Sequence, residues 1–289
     1  MLLLVAFDLG AAAQGLNPTI SGKFFDRDIS SDETGYGRIY WPKDVQETVM
    51  YEQYLPFKDY RIAIQNWQDF RNSGLPNLNL LDYERLLNNF DPLLVGHFAD
   101  YVDLIETNAS RNEKLLQAAG VSGVYSTRGK LELEPQPSQV WFVETVCWHP
   151  DGDSVVKAIT DPTWNPVAQV HLMGEGDCPP VTKESEITGR LIDWKLASNM
   201  LRFEVQTETE SVFYIPITAY PGWRAGVDGQ ETSILRANLA FMAVEVPAGT
   251  QEVRLEYHPW WLIPGALLSL VSLLGTLILF RSKNPVQEG

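Results

Sequence analysis

The sequence is poor in cysteine, in histidine and in basic side chains, and each shortage removes a class of function. Two cysteines in 289 residues, Cys147 and Cys178, have no second Cys or His at zinc-ligand spacing, so no structural zinc is expected. Two readings of them stay open: a disulfide, which an oxidising exterior would permit, or two buried thiols acting as small apolar side chains. The chain has 22 Lys and Arg against 37 Asp and Glu, a formal net charge of -15. With no clustered basic patch to displace counterions from phosphates, nucleic acid is excluded as a partner. The four histidines, His97, His149, His171 and His258, are dispersed and form no helical metal pair. The acidic runs Asp26, Asp28, Asp32, Glu33 and His149, Asp151, Asp153 match no EF-hand loop and read as solvated loops, so no metal is assigned. No Walker loop, dinucleotide fingerprint or Gly-x-Ser-x-Gly elbow occurs, and no cofactor is expected.

What the sequence does have is a long apolar run. "WWLIPGALLSLVSLLGTLILF", Trp260 to Phe280, contains no charge. At about 1.5 Å per residue it covers the roughly 30 Å hydrocarbon core of a bilayer. Trp260 and Trp261 stand at the end where indoles favour headgroups, and Arg281 and Lys283 follow the other end. The positive end is therefore expected in the cytoplasm and the bulk of the chain outside it. Gly265, Ser269, Ser272 and Thr276 recur at steps of four and three, a stripe of small residues that suits packing against further membrane helices. At the other extremity Met1 to Phe7 is apolar but too short to span and lacks a basic leader. It reads as the tail of a membrane helix whose start lies upstream, which makes the chain a fragment.

Between these segments the pattern changes once. From about Ser21 to Val181 helical and strand signals mix. A strand is expected at Gly37–Trp41, a short helix at Tyr83–Asn89 and an irregular loop between Gln65 and Leu81. Phe98, Tyr101, Val102 and Ile105 fall at helical spacing. Ser110 and Glu113 form a capping box, Leu115 and Leu116 an apolar face, and Gly120 a stop. One strand is expected over Val140–Trp148 and another over Val167–Met173, with a helix near Ser154–Ile159 between them. From Glu184 onward only strands are indicated. Leu201, Phe203 and Val205, then Val253, Leu255 and Tyr257, alternate with polar residues, as in the strands of a β-sandwich. The fold class expected is α+β: a mixed α/β region over 21–181, a sandwich-like β domain over 182–259, a membrane helix over 260–280 and a cytoplasmic tail over 281–289. Residues 1–20 form the truncated helix end and linker.

The decapeptide "YPGWRAGVDG", Tyr220 to Gly229, concentrates turn residues. Pro221-Gly222 suits a type II turn and Asp228-Gly229 a two-residue hairpin. Trp223 and Arg224 are left over, as a buried ring and a surface charge or as a sugar platform. Trp67 and Trp164 join them as candidate substrate contacts, because aromatic faces pack on sugar rings, although core packing is the commoner use of Trp.

The run "YPGWRAGVDGQ", followed by "ANLAFMAVEVPAGTQEVRLEYHP" and the apolar helix, resembles the end of YfhO-type bacterial membrane proteins. "LLQAAGVSGVYS", "FDPLLVGHFADYV" and the pairs Asp8-Leu9 and Asn17-Pro18 are similar to earlier parts of the same family. The resemblance implies a polytopic protein of GT-C-like architecture that transfers a sugar from a polyprenyl-phosphate carrier to a cell-envelope acceptor outside the cytoplasm. Its catalytic carboxylate would lie in an early exterior loop upstream of this sequence, so no catalytic residue is assigned and this chain alone is expected to be inactive. The expected partners are the bilayer, further membrane helices, and a carrier-linked sugar or envelope glycan. The alternatives are a membrane-anchored carbohydrate-binding module and a scaffold without catalytic function.

Overall fold

The computed structural model describes residues 5, 22–25, 37–58, 61–82, 84–89, 94–108, 112–133, 140–179, 189–197 and 199–283. The first acidic run, residues 1–4 and 6–7 of the short apolar start, Ser110 of the capping box and the pairs Asp8-Leu9 and Asn17-Pro18 lie outside the described residues. Among the described residues a 3-10 turn (Gly22–Phe25) precedes strand β1 (Arg38–Tyr40); helices α1 (Lys43–Thr48), α2 (Arg61–Gln65), α3 (Trp67–Asn72), α4 (Gly96–Thr107) and α5 (Asn112–Ala118) follow, then strands β2 (Val121–Ser126) and β3 (Gly129–Glu132). Strands β4 (Trp141–Val143) and β5 (Thr145–His149), helix α6 (Gly152–Ile159) and β6 (Gln169–Met173) follow. The rest is strands β7 (Gly189–Ala197), β8 (Met200–Thr207), β9 (Ser211–Thr218), β10 (Trp223–Val227), β11 (Gln230–Thr232), β12 (Leu235–Ala237), β13 (Phe241–Val246) and β14 (Gly249–Tyr257), and the final helix α7 (Leu262–Lys283). The fold is α+β, with an all-β stretch before one C-terminal apolar helix.

The central sheet explains the two most apolar strand sequences. It runs β4-β9-β13-β12-β6-β5. In β9 the residues Val212 and Tyr214 enter one core and Phe213 and Ile215 another; in β13 Phe241 and Ala243 divide from Met242 and Val244 in the same way. A strand covered on both faces loses the polar half of its alternation and reads as a continuous hydrophobic run. Helices α4, α5 and α6 cover the first face, through Tyr101, Ile105, Leu115, Val155 and Ile159. The five-stranded sheet β11-β10-β14-β8-β7 covers the second, through Leu201, Phe203, Val205, Val253 and Leu255. This second interface is the sandwich. Its central sheet draws strands from both sides of residue 181.

Helix α5 is tied to its surroundings by its own carbonyls. The last carbonyls of a helix lack intrahelical donors, and here two fully buried tyrosines bond to carbonyls of α5: Tyr101 donates to Leu115 O at 2.7 Å and Tyr214 to Ala118 O at 2.8 Å. Gly120 then takes φ +69° and ends the helix as expected.

Three local expectations need correction. Residues 84–89 form no helix: Leu86 bridges in parallel to Ile39, and Leu87 N donates to Ile39 O at 2.8 Å. Leu86 and Leu87 are adjacent yet enter different cores, which is the two-residue period of extended chain and not a helical one. The expected loop before Leu81 contains α3, because Phe70 packs on Tyr54 at 5.4 Å and that contact holds a helical turn among turn-forming residues. The run Val140–Trp148 is two strands. It changes partner at Glu144, pairing with β9 before it and with β6 after it, so one chain segment supplies both edges of the six-stranded sheet.

Strands β5 and β6 are parallel and α6 crosses between them. Asp151 caps α6, its carboxylate accepting from Ser154 N at 2.8 Å. The loop after β6 folds back over Trp148: Cβ atoms at Gly174 and Gly176 would approach that ring to 2.8 and 2.6 Å, and Cys178 is disulfide-bonded to Cys147. Of the two readings of the cysteines, the structure takes the bridge. Its sequence separation of 31 residues corresponds to about 3 to 4 kcal/mol of restricted unfolded chain. The double variant Cys147→Ala, Cys178→Ala is expected to lose roughly 3 kcal/mol of stability, read from the urea midpoint of the detergent-solubilised chain.

Candidate functional site

The end of β14 is where the chain changes solvent. Tyr257 closes the strand, and five residues later α7 begins an apolar segment, Leu262–Phe280, with none of it buried against protein. Such a segment needs hydrocarbon around it, and the residues at its entrance meet the headgroup layer. Five aromatic rings gather there. Trp223 packs on Tyr257 at 5.4 Å, Tyr220 lies 6.1 Å from both Tyr257 and Trp261, and Trp261 stands edge-on to Tyr257 at 6.5 Å and to Trp260 at 6.0 Å.

The turn residues of the decapeptide build this collar. Trp223 N donates to Tyr220 O at 3.3 Å, closing a turn in which Gly222 takes φ +107°. His258 N then donates to Gly222 O at 2.6 Å, locking the turn to the exit of β14. A Cβ on Gly222 would lie 3.0 Å from the Tyr257 ring and 3.4 Å from Trp261. Glycine is therefore required twice, for its φ and for the close approach of the rings. At the far end of β10, Asp228 and Gly229 both have positive φ, the two-residue hairpin expected.

The polar side of the collar is cationic with one paired acid. Glu256 is salt-bridged to Arg254 and accepts from His258 Nε2 at 3.0 Å. The His258 hydrogen bond, helped by the Arg254 guanidinium, holds its carboxyl below the usual carboxylate range. Arg224 is exposed on β10, directly across from Glu256.

Residues 184–269, which run from before β7 through the collar into α7, match the family described as bacterial membrane protein YfhO. This C-terminal third is YfhO-like. Over 94 residues, 32% of its length, the chain is 29% identical to the "Uncharacterized protein YfhO" of Bacillus subtilis (strain 168). The match spans 11% of that relative's length. No solved structure matches the chain. The YfhO-like stretch thus contains the outer sheet of the sandwich, strands β9, β12 and β13 of the central sheet, the collar and the first turns of the apolar helix.

The four candidate contact residues occupy three places. Trp223 and Arg224 are consecutive at the collar, within the YfhO-like stretch. Trp67 opens α3, half-buried and 6.3 Å from Phe24. Trp164 is 2% exposed in the core between α6 and β6, its indole donating to Gln169 O at 3.4 Å. On the membrane helix, the hydroxyls of Ser269, Ser272 and Thr276 donate to carbonyls one turn back, at 2.9 Å each. The stripe with Gly265 is therefore apolar in effect, with its polar atoms already satisfied. Sequence reasoning kept Tyr257 and Trp261 apart from Tyr220 and Trp223; the signal that joins them is the glycine between two aromatics.

One histidine pair, with His171 buried and His149 half-buried, lies outside the collar. His171, 5% exposed on β6, is 2.8 Å from His149 through Nδ1 and Nε2, and its backbone exchanges two hydrogen bonds with Asn238, N to Oδ1 at 2.9 Å and O to N at 2.8 Å. Burial, with His149 close by, pushes the pKa of His171 down to about 4. No group of three ligating side chains surrounds it among the described residues.

Two measurements follow from these contacts. Gly222→Ala combines an unfavourable φ with the ring contacts and is expected to destabilise by about 1 to 3 kcal/mol, with a red shift of tryptophan emission as the collar loosens. The unfolded chain, with an ordinary histidine, binds more protons than the folded chain between pH 6.5 and 4. Stability from His171 is thus present above pH 6.5 and is lost as pH falls towards 4, by about 3 kcal/mol in all. Urea midpoints across that window should fall in the natural chain and fall less in His171→Gln.

Proposed function

We propose that this chain is the extracytoplasmic, membrane-standing domain of a YfhO-like polytopic protein, and that it holds a polyprenyl-phosphate-linked sugar or the envelope acceptor at the bilayer surface for glycosyl transfer. The collar carries this reading. It fixes the outer sheet at headgroup height, which is where the phosphate of a lipid carrier and its first sugar lie. Trp223, half-buried against the sandwich core and Tyr257, offers the open part of its ring for a sugar face, and Arg224, on the opposite, exposed face of β10 across from Glu256, offers a guanidinium for a phosphate. The Cys147–Cys178 bridge supports the outer side of the membrane, because disulfides persist in oxidising compartments. The basic pair Arg281 and Lys283 after the span supports a cytoplasmic tail. The stripe Gly265, Ser269, Ser272 and Thr276 supplies a close-packing face for neighbouring membrane helices of the same protein. Trp67 and Trp164 are not adjacent to the collar in any aromatic contact and take no part in this proposal.

The test uses the natural full-length protein in membranes. Transfer of labelled sugar from a polyprenyl-phosphate carrier to envelope acceptor is expected to fall at least tenfold in Trp223→Ala and Arg224→Ala, with membrane abundance unchanged. A reporter fused after residue 289 should be active as a fluorescent protein and inactive as alkaline phosphatase. Undiminished transfer in both variants, or an active phosphatase fusion, overturns the proposal.

A further inference from the structure

Strand β7 is an edge of the five-stranded sheet, pairing with β8 alone among the described residues. Edge strands are ordinarily guarded by charges, bulges or cover, because an exposed apolar edge invites association. A bulge at Ile192, where the register slips between Leu191 and Asp193, is one such guard. The apolar side chains run the other way. Ile192, Trp194 and Leu196 are 47, 36 and 44% exposed, and no other strand exposes more than one large apolar side chain among the described residues. Trp194 stands opposite Phe203 and Leu196 opposite Leu201, so both are on the side of the sheet that forms the second core. The three-residue β4 reaches the start of β7, where Phe142 leaves no room for a Cβ at Gly189; beyond Leu191 the rest of the strand is exposed.

That exposed end is also the end nearest the bilayer. Ala197 pairs with Met200, Met200 with Glu256, and Tyr257 N donates to Asn199 O at 2.9 Å. The β7–β8 hairpin therefore turns beside the collar. At about 3.4 Å per residue, Leu196 lies about 7 Å and Trp194 about 14 Å along the strands from the level of Tyr257.

The outer face of the same strands is sorted by charge. Asp193, Glu204 and Glu252 stand side by side on β7, β8 and β14, and one row nearer the membrane Lys195, Arg202 and Arg254 do the same. Like charges directly opposite each other destabilise a sheet. Arg202 is relieved by Glu252 at 2.6 Å and Arg254 by Glu256. Lys195 has no ion pair among the described residues, and on these strands Glu256 is the only acid nearer the membrane.

We propose that the β7–β8 hairpin is a second membrane contact: Leu196, Trp194 and the tip at Asn199 seat in the headgroup layer, with Lys195 and Arg202 towards the phosphates of anionic lipid. Two observations choose lipid as the occupant. The exposed edge is continuous with the collar, which α7 already brings to the interface, and its cations occupy the row that an anionic surface attracts. Ile192, further along β7, stays in water. A sheet held at one point can tilt, whereas contacts at α7 and at its edge fix its orientation as well as its height. The inference needs α7 in a bilayer and nothing of glycosyl transfer, so it stands or falls apart from the proposed function.

The test places one full chain in a lipid nanodisc and attaches a fluorescent label to an introduced cysteine, the native pair being bridged. Lipid nitroxides at headgroup depth are expected to quench labels at Asn199→Cys and Leu196→Cys roughly twofold more than labels at Ile192→Cys and at Glu231→Cys, on the opposite edge strand. Adding phosphatidylglycerol to phosphatidylcholine should raise the quenching at Asn199→Cys, and Lys195→Glu should abolish that rise while leaving the value in phosphatidylcholine unchanged. Leu196→Ser should lower it in both lipids. These side chains are exposed, so far-UV circular dichroism should stay native, and either variant carries the test if the other does not fold. Iodide in the water should quench the Asn199→Cys label less than the Glu231→Cys label. Equal iodide quenching at the two positions, or indifference of the lipid signal to the folded variants, overturns the proposal. So does a label in the natural full-length protein that neither iodide nor lipid quenches, which would assign protein as the cover.

Discussion

An apolar helix with no protein against it is stable only in surroundings that are themselves apolar. Leu268, Ile278 and Phe280 are each about two-thirds exposed, and leaving such a side chain in water forgoes about 1.5 to 3 kcal/mol. Summed along the span this exceeds the 5 to 15 kcal/mol by which a domain is ordinarily stable. The bilayer therefore sets the position of α7, and α7 sets the position of everything joined to it. Tyr257 is five residues before the helix, and it ends the strand that stands in the middle of the five-stranded sheet. The sheet is held at the membrane by its central strand and not by a loose edge.

From that strand the constraint passes inward through packing. The outer sheet shares a core with β9 and β13, whose alternate residues belong to the helix-covered core on the other face. Protein interiors are close-packed, so one layer does not slide without disturbing the next. Two buried hydroxyls, from Tyr101 and Tyr214, then fix α5 to α4 and to the central sheet. Helix α5 is thus connected to the collar through layers of side chains that each serve two neighbours.

How much of this the sequence disclosed depends on the range of the interactions. The membrane span, α4, the Gly120 stop, the Asp228-Gly229 hairpin and the alternation in β8 and β14 are local patterns and were legible. The two-strand character of 141–149 was not, because the partner change at Glu144 depends on where β6 and β9 lie, not on the residues themselves. Leu86 misled for a related reason: a short segment next to a helical stretch looks helical until its bridge to Ile39 is known. The collar was half legible. The decapeptide announced a turn, but its use, bringing Tyr220 and Trp223 against Tyr257 and Trp261, depends on a strand more than 25 residues later in the chain.

Charge makes the collar necessary as well as convenient. The chain carries a formal charge of -15, and an anionic bilayer surface repels such a body within a Debye length, about 8 Å at physiological salt. Only the residues nearest the membrane act in that layer. There the balance is different: Glu256 is paired with Arg254 and hydrogen-bonded by His258, and Arg224 is an exposed cation across from it. Aromatic rings at the interface are insensitive to the sign of the surface, and the Arg224 guanidinium favours contact with phosphate.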